Sequence, residues 1–475
     1  MNGLECSEIM LSNLERTTRI DAEFYAKNNL RVLDILSKYS LDKITDNYYV
    51  SDGNHMSVSD SFVDVGVPYY RGQDIYNVFI EDSSPICIDK KTYTLSTMMR
   101  SWLKKGDVLL SIVGAIIGNT AIVSSYKEAT CSCKLAILRA KTKNDNYYYL
   151  HSFIKSKYGQ NQIQKFRRGA AQTGLLLEDM DQIFIPNLGD KLKKYISDIY
   201  VNVYRLINSA KKIYSEAEQI LLKSLNMDNF VPSQKNTTTK LLSQFMNAGR
   251  LDAEYFQPKY DDIENKIELL LNDKKNGCFT VNNIISESNR VIKIEDKKEY
   301  KYIELSDIDN YGNVTDCTID IGINLPSRAR KEVYTGDVIV SSLEGSLQKC
   351  AIITETFNGA LVSTGFHVVK SDEINSETLL LLFKSWFMQE LMRKHSTGAI
   401  MAATSDDSFK KILLPVVKLD VQEMIANKIQ KSFELRAKSN ELLEAAKRAV
   451  EIAIEKNEET AMQYLAQFEC VGKEV

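Results

Sequence analysis

From Leu192 the apolar positions fall at Leu192, Ile196, Ile199, Val203, Leu206, Ala210, Ile213, Ala217 and Ile220, in steps that alternate four and three. A period of 3.5 predicts a coiled-coil seam. The helix that carries it is expected over 190–226, and at 1.5 Å per residue it would be about 55 Å long. A second series, Val421, Ile425, Lys428, Ser432, Leu435, Ser439, Leu442, Ala446, Ala449 and Ala453, predicts a matching helix near the end of the chain. Lys428 and Ser432 interrupt this seam, while its small residues would let another helix approach. Packing is expected to rest on Leu192, Ile196, Ile199, Val203, Leu206 and Ile213 of the first helix, and on Leu435 and Leu442 of the second. Ahead of each helix, short β-branched runs bounded by glycines and polar turns predict strands: DVLLSIV from Asp107, TAIV from Thr120, DVIVSSL from Asp337 and CAIIT from Cys350. Helices are expected from Tyr147 to Phe166 and from Ser376 to His395, each followed by a short strand ending at Pro186 or Pro415.

These elements recur in one order because the chain is an internal repeat, the pattern to look for first. RIDAEFY at Arg19 returns as RLDAEYF at Arg250, 231 residues later. GDVLLS at Gly106 returns as GDVIVS at Gly336, and Ala121-Ile122-Val123 as Ala351-Ile352-Ile353, both after 230. Gly169-Ala170 matches Gly398-Ala399, and IFIP at Ile183 matches ILLP at Ile412, after 229. A repeat this long is a whole domain plus a connector. Each copy opens with a helical patch around RIDAEFY or RLDAEYF. Duplication predicts a pseudo-twofold arrangement with the two long helices antiparallel. The polar stretch 228–240, with Pro232 and three threonines, reads as the linker between copies.

The chain of 475 residues exceeds one ordinary core, which predicts two or three domains. Hydrophobic content of 44% and charged content of 26% fit a soluble globular protein. No run of 18 apolar residues is present, so no membrane span is expected, nor does the beginning read as a secretory leader. Of eight cysteines only Cys131 and Cys133 are close, and a one-residue gap does not match a zinc knuckle. Reduced thiols in a cytoplasm are the simpler expectation. None of the four histidines lies near another His or Cys, so no metal site is expected. A net charge of −3 neither suggests nor excludes nucleic acid, because binding needs basic patches and not a basic average.

Candidate chemistry narrows the picture. There is no GxxxxGK[ST] phosphate loop, and Gly114-AII-Gly118 reads as a tight turn between strands. Seven prolines, no two adjacent, exclude the Pro-Pro-Tyr/Phe loop typical of DNA amino-group methylation. No serine, cysteine or histidine nucleophile signature appears. No catalytic residue and no bound cofactor are therefore expected. Basic residues do cluster. Lys155, Lys157, Lys165, Arg167 and Arg168 lie with Tyr158, Gln172 and Thr173 in a strip without an acid from Lys155 to Leu177. Such a strip can neutralise phosphates and bring Gln and Arg to base edges. Further candidates are Arg71 and Gln73, Arg100 with Lys104 and Lys105, then Arg328 and Arg330, Lys349, and Lys394 with Ser396 and Thr397. Taken singly, each cluster also fits a solvated face.

Taken together, the R-[IL]-D-A-E-[FY]-[FY] segments at Arg19 and Arg250, VPYYRGQDI from Val67 with YIELSDI from Tyr302, the Gly-Asp strands, the proline exits and the long helices resemble the specificity subunit of type I restriction–modification systems. The resemblance covers nearly the whole chain. It implies an α+β fold of two similar α/β target-recognition domains, separated by two long antiparallel coiled-coil helices. The expected divisions are 1–188 and 241–417 for the target-recognition domains, 189–227 for the first spacer helix, 228–240 for the linker, and 418–475 for the second helix and tail. Each domain would read half of a bipartite site in double-stranded DNA. The implied partners are two methyltransferase subunits, which hold S-adenosylmethionine and modify adenine, and an ATP-dependent restriction subunit. Two departures stand out: Glu304-Leu305 replaces Arg71-Gly72, and Glu344 replaces Gly114. The readings left open are a specificity subunit whose single partner fuses methyltransferase and nuclease, a self-contained enzyme, and a helical protein-binding scaffold.

Overall fold

The computed structural model describes residues 5–14, 19–125, 127–143, 146–169, 173–272, 277–287, 290–398 and 402–468. They fall into two compact units, residues 1–206 with 438–475, and residues 207–437. The division lies within both long helices, whereas the boundaries read from the sequence lie at element ends.

In the first unit, strands 48–52, 135–140, 108–111 and 120–122 form an antiparallel sheet in that order. The central strand Val108–Ser111 is buried along its whole length, as its uninterrupted apolar run requires. A second sheet has the order 62–63, 86–88, 67–70, 130–131, its last pair parallel. The proline exit Phe184–Pro186 pairs antiparallel with Leu41–Lys43. The second unit has the order 285–287, 366–371, 338–341, 350–352 in one sheet and 318–321, 299–303, 360–363, 329–333 in the other, with strand 413–416 paired to 277–280. Three strands of each second sheet correspond. The fourth is added outside 86–88 in the first unit and outside 360–363 in the second, where the first has only a Trp102–Thr130 bridge.

Three sets of bonds recur. Arg19 grips Asp21 through Nε (2.7 Å) and donates Nη1–H to the Lys165 carbonyl (3.2 Å), while Asp21 accepts the Phe24 N–H (3.0 Å). Arg250 does the same with Asp252 (2.7 Å) and Lys394 (3.2 Å), and Asp252 accepts from Tyr255 (3.0 Å). The guanidinium holds each carboxyl below its ordinary pKa. The patch expected to be helical is thus a turn tied to a helix end; the helices begin only at Lys27 and Pro258.

The Gly-Asp motif is the second set. Gly106 and Gly336 adopt positive φ (91° and 86°), open to glycine at little cost. Asp107 and Asp337, both about 1% exposed, accept the backbone N–H of Lys104 (2.7 Å) and Tyr334 (2.8 Å). Each also pairs with an arginine at 2.7 Å, Arg139 on a sheet strand or Arg290 in a loop. In the third set Asn146 and Asn375 cap helices and donate to the Lys193 (3.2 Å) and Gln422 (3.1 Å) carbonyls.

Each single helix expected after these caps is two, Tyr147–Lys155 with Lys157–Lys165, and Ser376–Lys384 with Trp386–His395. The break falls at Ser156 and Ser385, whose backbones are extended and whose hydroxyls donate back to Phe153 and Leu382 (2.6 Å each).

The long helices run Asp190–Ser224 and Leu419–Glu455. Leu192, Ile196, Ile199, Val203, Ala210 and Ala217 are buried as expected, but the other buried positions after Val203 in this helix are Ile207, Tyr214 and Leu221. Leu206 and Ile213 are only partly covered. The buried spacing is therefore 11 residues (192, 203, 214), or 3.67 per turn. A strict 3.5 seam drifts about 20° per heptad on a straight helix, and an extra step of four removes that drift. Leu442 is buried as expected and Leu435 is not. The two interruptions of the second seam have partners within the second unit. Ser432 Oγ donates to the Ala210 carbonyl (2.9 Å), and Lys428, displaced to the flank by buried Ile429, pairs with Glu216 (2.6 Å). There the two helix segments pass in opposite directions.

Removing one partner of a buried ion pair strands the other. Asp107→Ala should lower the stability of the first unit by about 3–5 kcal/mol, with Asp107→Asn milder. Urea unfolding followed by hydrogen exchange would check this: protection should fall across 104–124 and stay unchanged across 334–353.

Candidate nucleic-acid interface

The register brings one set of loops together in each unit. In the first, Ser111 faces Leu135, Leu110 faces Thr120 and Asp52 faces Ala136, so loops 53–57, 112–119 and 132–134 leave the same sheet end. Tyr70 pairs with Cys131, which adds loop 71–76. Gly72 borders this group closely: a Cβ there would lie 3.2 Å from Ile116 Cδ1 and 3.5 Å from Ser111 Oγ. Gly114 N–H donates to the Thr173 carbonyl (2.9 Å), which joins the Arg168–Gly174 bridge to the set. In the second unit the corresponding bond runs from Glu344 N–H to the Ala402 carbonyl (2.9 Å), and Ser342 N–H and Thr364 N–H donate to Gly365 and Arg328 (2.9 Å each).

The 71–74 loop keeps its shape through Asp74, which is buried and accepts the Arg71 N–H (2.8 Å). Asp307 does the same for Glu304 N–H (2.8 Å). Between these anchors Gln73 and Ser306 are exposed. Two loops of one shape thus carry different groups: exposed Gln73 and a half-buried Arg71 whose Nε–H is held by Asp74 (3.2 Å) in one unit, Glu304 and Ser306 in the other. An Arg or Gln can bond bidentately to guanine or adenine, whereas Glu accepts from the cytosine amino group.

Other expected contacts divide into exposed and committed residues. Arg167, Lys104, Lys105, Arg328 and Thr397 are exposed. Arg168 is exposed but paired with Asp179, and Arg100 is paired with Asp52, which His55 also contacts at 2.6 Å. Arg330 is exposed and donates Nε–H to Ser327 O (2.8 Å). Thr173 is half-buried. Gln172 lies outside the described residues.

Four expectations need correction. Lys394 is buried, ion-paired with Glu264 (2.6 Å) and set 4.8 Å from the Tyr255 ring. Ser396 is buried and bonded to Met392 O (3.0 Å). Lys349 is half-buried and donates to Ile308 O (2.5 Å). Lys165 sits 4.2 Å from the Phe24 ring, and burial beside Arg19 pushes its ammonium down to about 8. The three lysines brace the fold, because desolvated ammonium groups need fixed partners, and the Ser396 hydroxyl is spent on the backbone. The sequence reading also missed Lys134, exposed at the 132–134 turn, whose carbonyl accepts Ile112 N–H (3.0 Å). Its only signal was a basic residue ending the Cys-Ser-Cys turn.

Among the described residues no cluster of three or more His, Cys, Asp or Glu could hold a metal ion, and no helix is long and apolar enough to cross a membrane. His151 lies inside, between Tyr200 OH (2.7 Å) and Thr120 O (3.3 Å), and burial pushes its pKa down to about 3. It is a neutral structural histidine.

If the exposed cations serve phosphates, Arg167→Ala or Lys134→Ala should weaken duplex DNA binding alike for all sequences. Each should also reduce the slope of log K against log salt by about one. Lys394→Ala should leave that slope unchanged and lower the melting temperature instead. Salt titrations of DNA binding, with thermal melts, separate the two groups.

No family model and no curated protein matches the chain. Among solved structures it is similar to the S subunit of a type I restriction–modification system from M. genitalium, at 14% identity and TM-score 0.36, covering 90% of this chain and 96% of that one. It is also similar to the HsdS subunit from Thermoanaerobacter tengcongensis, at 12% identity and TM-score 0.30, covering 88% and 97%. A third similar chain comes from work on complex assembly and conformational transition of the type I R-M system, at 12% identity and TM-score 0.29, with the same coverage. Solved S subunits are thus what this chain is similar to, along 88–90% of its length.

Proposed function

We propose that this chain is the DNA-specificity subunit of a restriction–modification complex, reading one half of a bipartite site with each unit and catalysing nothing itself. The observation that carries the reading is the pair of loops at Arg71 and Glu304. One carboxylate-anchored scaffold occurs twice and presents unlike base-contacting groups, as two readers of different half-sites require. Recognition would be direct at these tips, with Arg167 and Lys134 supplying phosphate contacts.

In this reading the duplicated halves are related by a pseudo-twofold axis, and the long helices pair antiparallel as a coiled coil that sets the half-site spacing. The partners are two methyltransferase subunits, which supply S-adenosylmethionine and methylate adenine in the cytoplasm, joined by an ATP-dependent restriction subunit. A single partner that fuses methyltransferase and nuclease would use the same surfaces.

Exchanging residues 60–186 for another target-recognition domain should change one half-site and leave the other intact, as read by mapping methylated adenines in cells carrying the operon. A simultaneous change in both half-sites would refute the two-reader scheme. Inserting four residues near Ala210 should lengthen or abolish the gap between half-sites and leave both half-site sequences as they are. The same methylation map reads that result.

A further inference from the structure

Each unit contains a groove built from equivalent pieces: the helix after the Arg-x-Asp turn, the start of the helix after Ser156 or Ser385, and the C-terminal end of a long helix. In the second unit the chain itself fills this groove. Phe230 stacks on Trp386 with ring centres 6.2 Å apart, Lys266 Nζ lies 5.8 Å from the Phe230 ring, and Ser233 N–H donates to Asp262 Oδ2 (2.8 Å). The segment enters from the helix end through Met227, whose N–H donates to the Leu222 carbonyl (2.8 Å).

In the first unit the chain leaves the corresponding helix end another way. Asn457 caps a new helix, Glu458–Ala466, and Glu458 accepts the Gly189 N–H (2.8 Å). Among the described residues the equivalent groove is a cavity of about 730 Å³. Its floor includes Val32, Ile35 and Ile454, closed at one side by Tyr39, whose hydroxyl donates to the Ala453 and Ile454 carbonyls (2.9 Å each).

One rim position has changed sign. Arg31 stands where the second unit has Asp262, and Lys157 where it has Trp386, with Lys38 and Lys456 completing the border. Arg31, Lys38 and Lys456 are exposed, and their side chains have no partner among the described residues. The one acid lining the groove, Glu455, is already held by Lys157 (2.5 Å) and Arg448 (3.2 Å), which lower its pKa. Asp262 accepts a backbone N–H from its occupant. A guanidinium can only donate, so an occupant here must offer acceptors at that point.

We propose that this groove of the first unit docks an extended, acidic segment of a partner polypeptide, with one aromatic side chain seated where Phe230 sits in the second unit. The duplication supplies the binding mode, and the exposed cations Arg31, Lys38 and Lys456 supply the charge of the ligand. Nothing in this assignment depends on DNA reading, and the two stand or fall separately.

The test uses the full-length chain and a fluorescein-labelled peptide, DEFVPSED, followed by anisotropy at low salt. Saturable binding is expected. It should weaken about tenfold or more when the peptide's Phe is replaced by Ala, when Arg31→Glu or Lys38→Glu is introduced, and as salt is raised. Both side chains are exposed, and circular dichroism would verify folding; Lys456→Glu serves if either variant fails. Absence of binding, or equal binding by Arg31→Glu and Lys38→Glu, would overturn the proposal. So would displacement of the peptide by duplex DNA, which would assign the rim to phosphates. Binding that appears only after residues 469–475 are deleted would assign the groove to the chain's own tail, and would equally overturn it.

Discussion

A side-chain carboxylate that takes over the backbone N–H groups of a turn is the interaction on which both units depend. It occurs at Asp21 and Asp252, at Asp74 and Asp307, and at Asp107 and Asp337. Four of these six have an arginine within 2.7 Å, and for Asp107 and Asp337, which are buried, that partner is required, because a charge taken out of water must be paired and fully bonded. Such an anchor fixes a loop from its ends and makes little demand on the residues between. Loops with a constant frame and free tips follow from that chemistry.

Much of this was legible in the sequence, because anchors need particular residues at particular offsets. The Arg-x-Asp and Gly-Asp pairs stood out through their recurrence, and the strands after Asp107 and Asp337 followed from unbroken β-branched runs. The secondary structure at Arg19 was misread, since a turn stabilised by its own Asp and a first helical turn draw on the same residues. The breaks at Ser156 and Ser385 were missed for a related reason. An apolar helical pattern continues through them, and only a hydroxyl bonding backwards shows that the backbone is extended there.

The site was less legible than the fold. Charge in a sequence does not say whether an ammonium meets water or a ring. Lys394 and Lys165 looked like members of basic strips, yet each packs against the aromatic residue of its Arg-x-Asp turn. Their partner lies about 140 residues earlier, a distance at which no local pattern operates. Lys134 carried too little context to be noticed, although the register places it at the same sheet end as loops 53–57 and 112–119.

The helices show how a small numerical difference decides packing. Alternating steps of four and three are equally natural around Val203, and the apolar residues at 206 and 207 offered either continuation. A helix that stays near 3.6 residues per turn cannot keep a 3.5 seam against one neighbour for 35 residues. Ile207 therefore takes the position that Leu206 seemed to hold, and Tyr214 and Leu221 follow. The same rotation puts Ile429 inward and frees Lys428 to reach Glu216. Polar residues that looked like faults in a coiled coil are, in the 11-residue frame, a buried hydroxyl with its acceptor and a flanking ion pair. Such pairings favour one register: sliding either helix by a turn would separate Lys428 from Glu216 and set Ser432 against Leu206 or Tyr214, in place of the small Ala210 that lets the hydroxyl reach a backbone carbonyl.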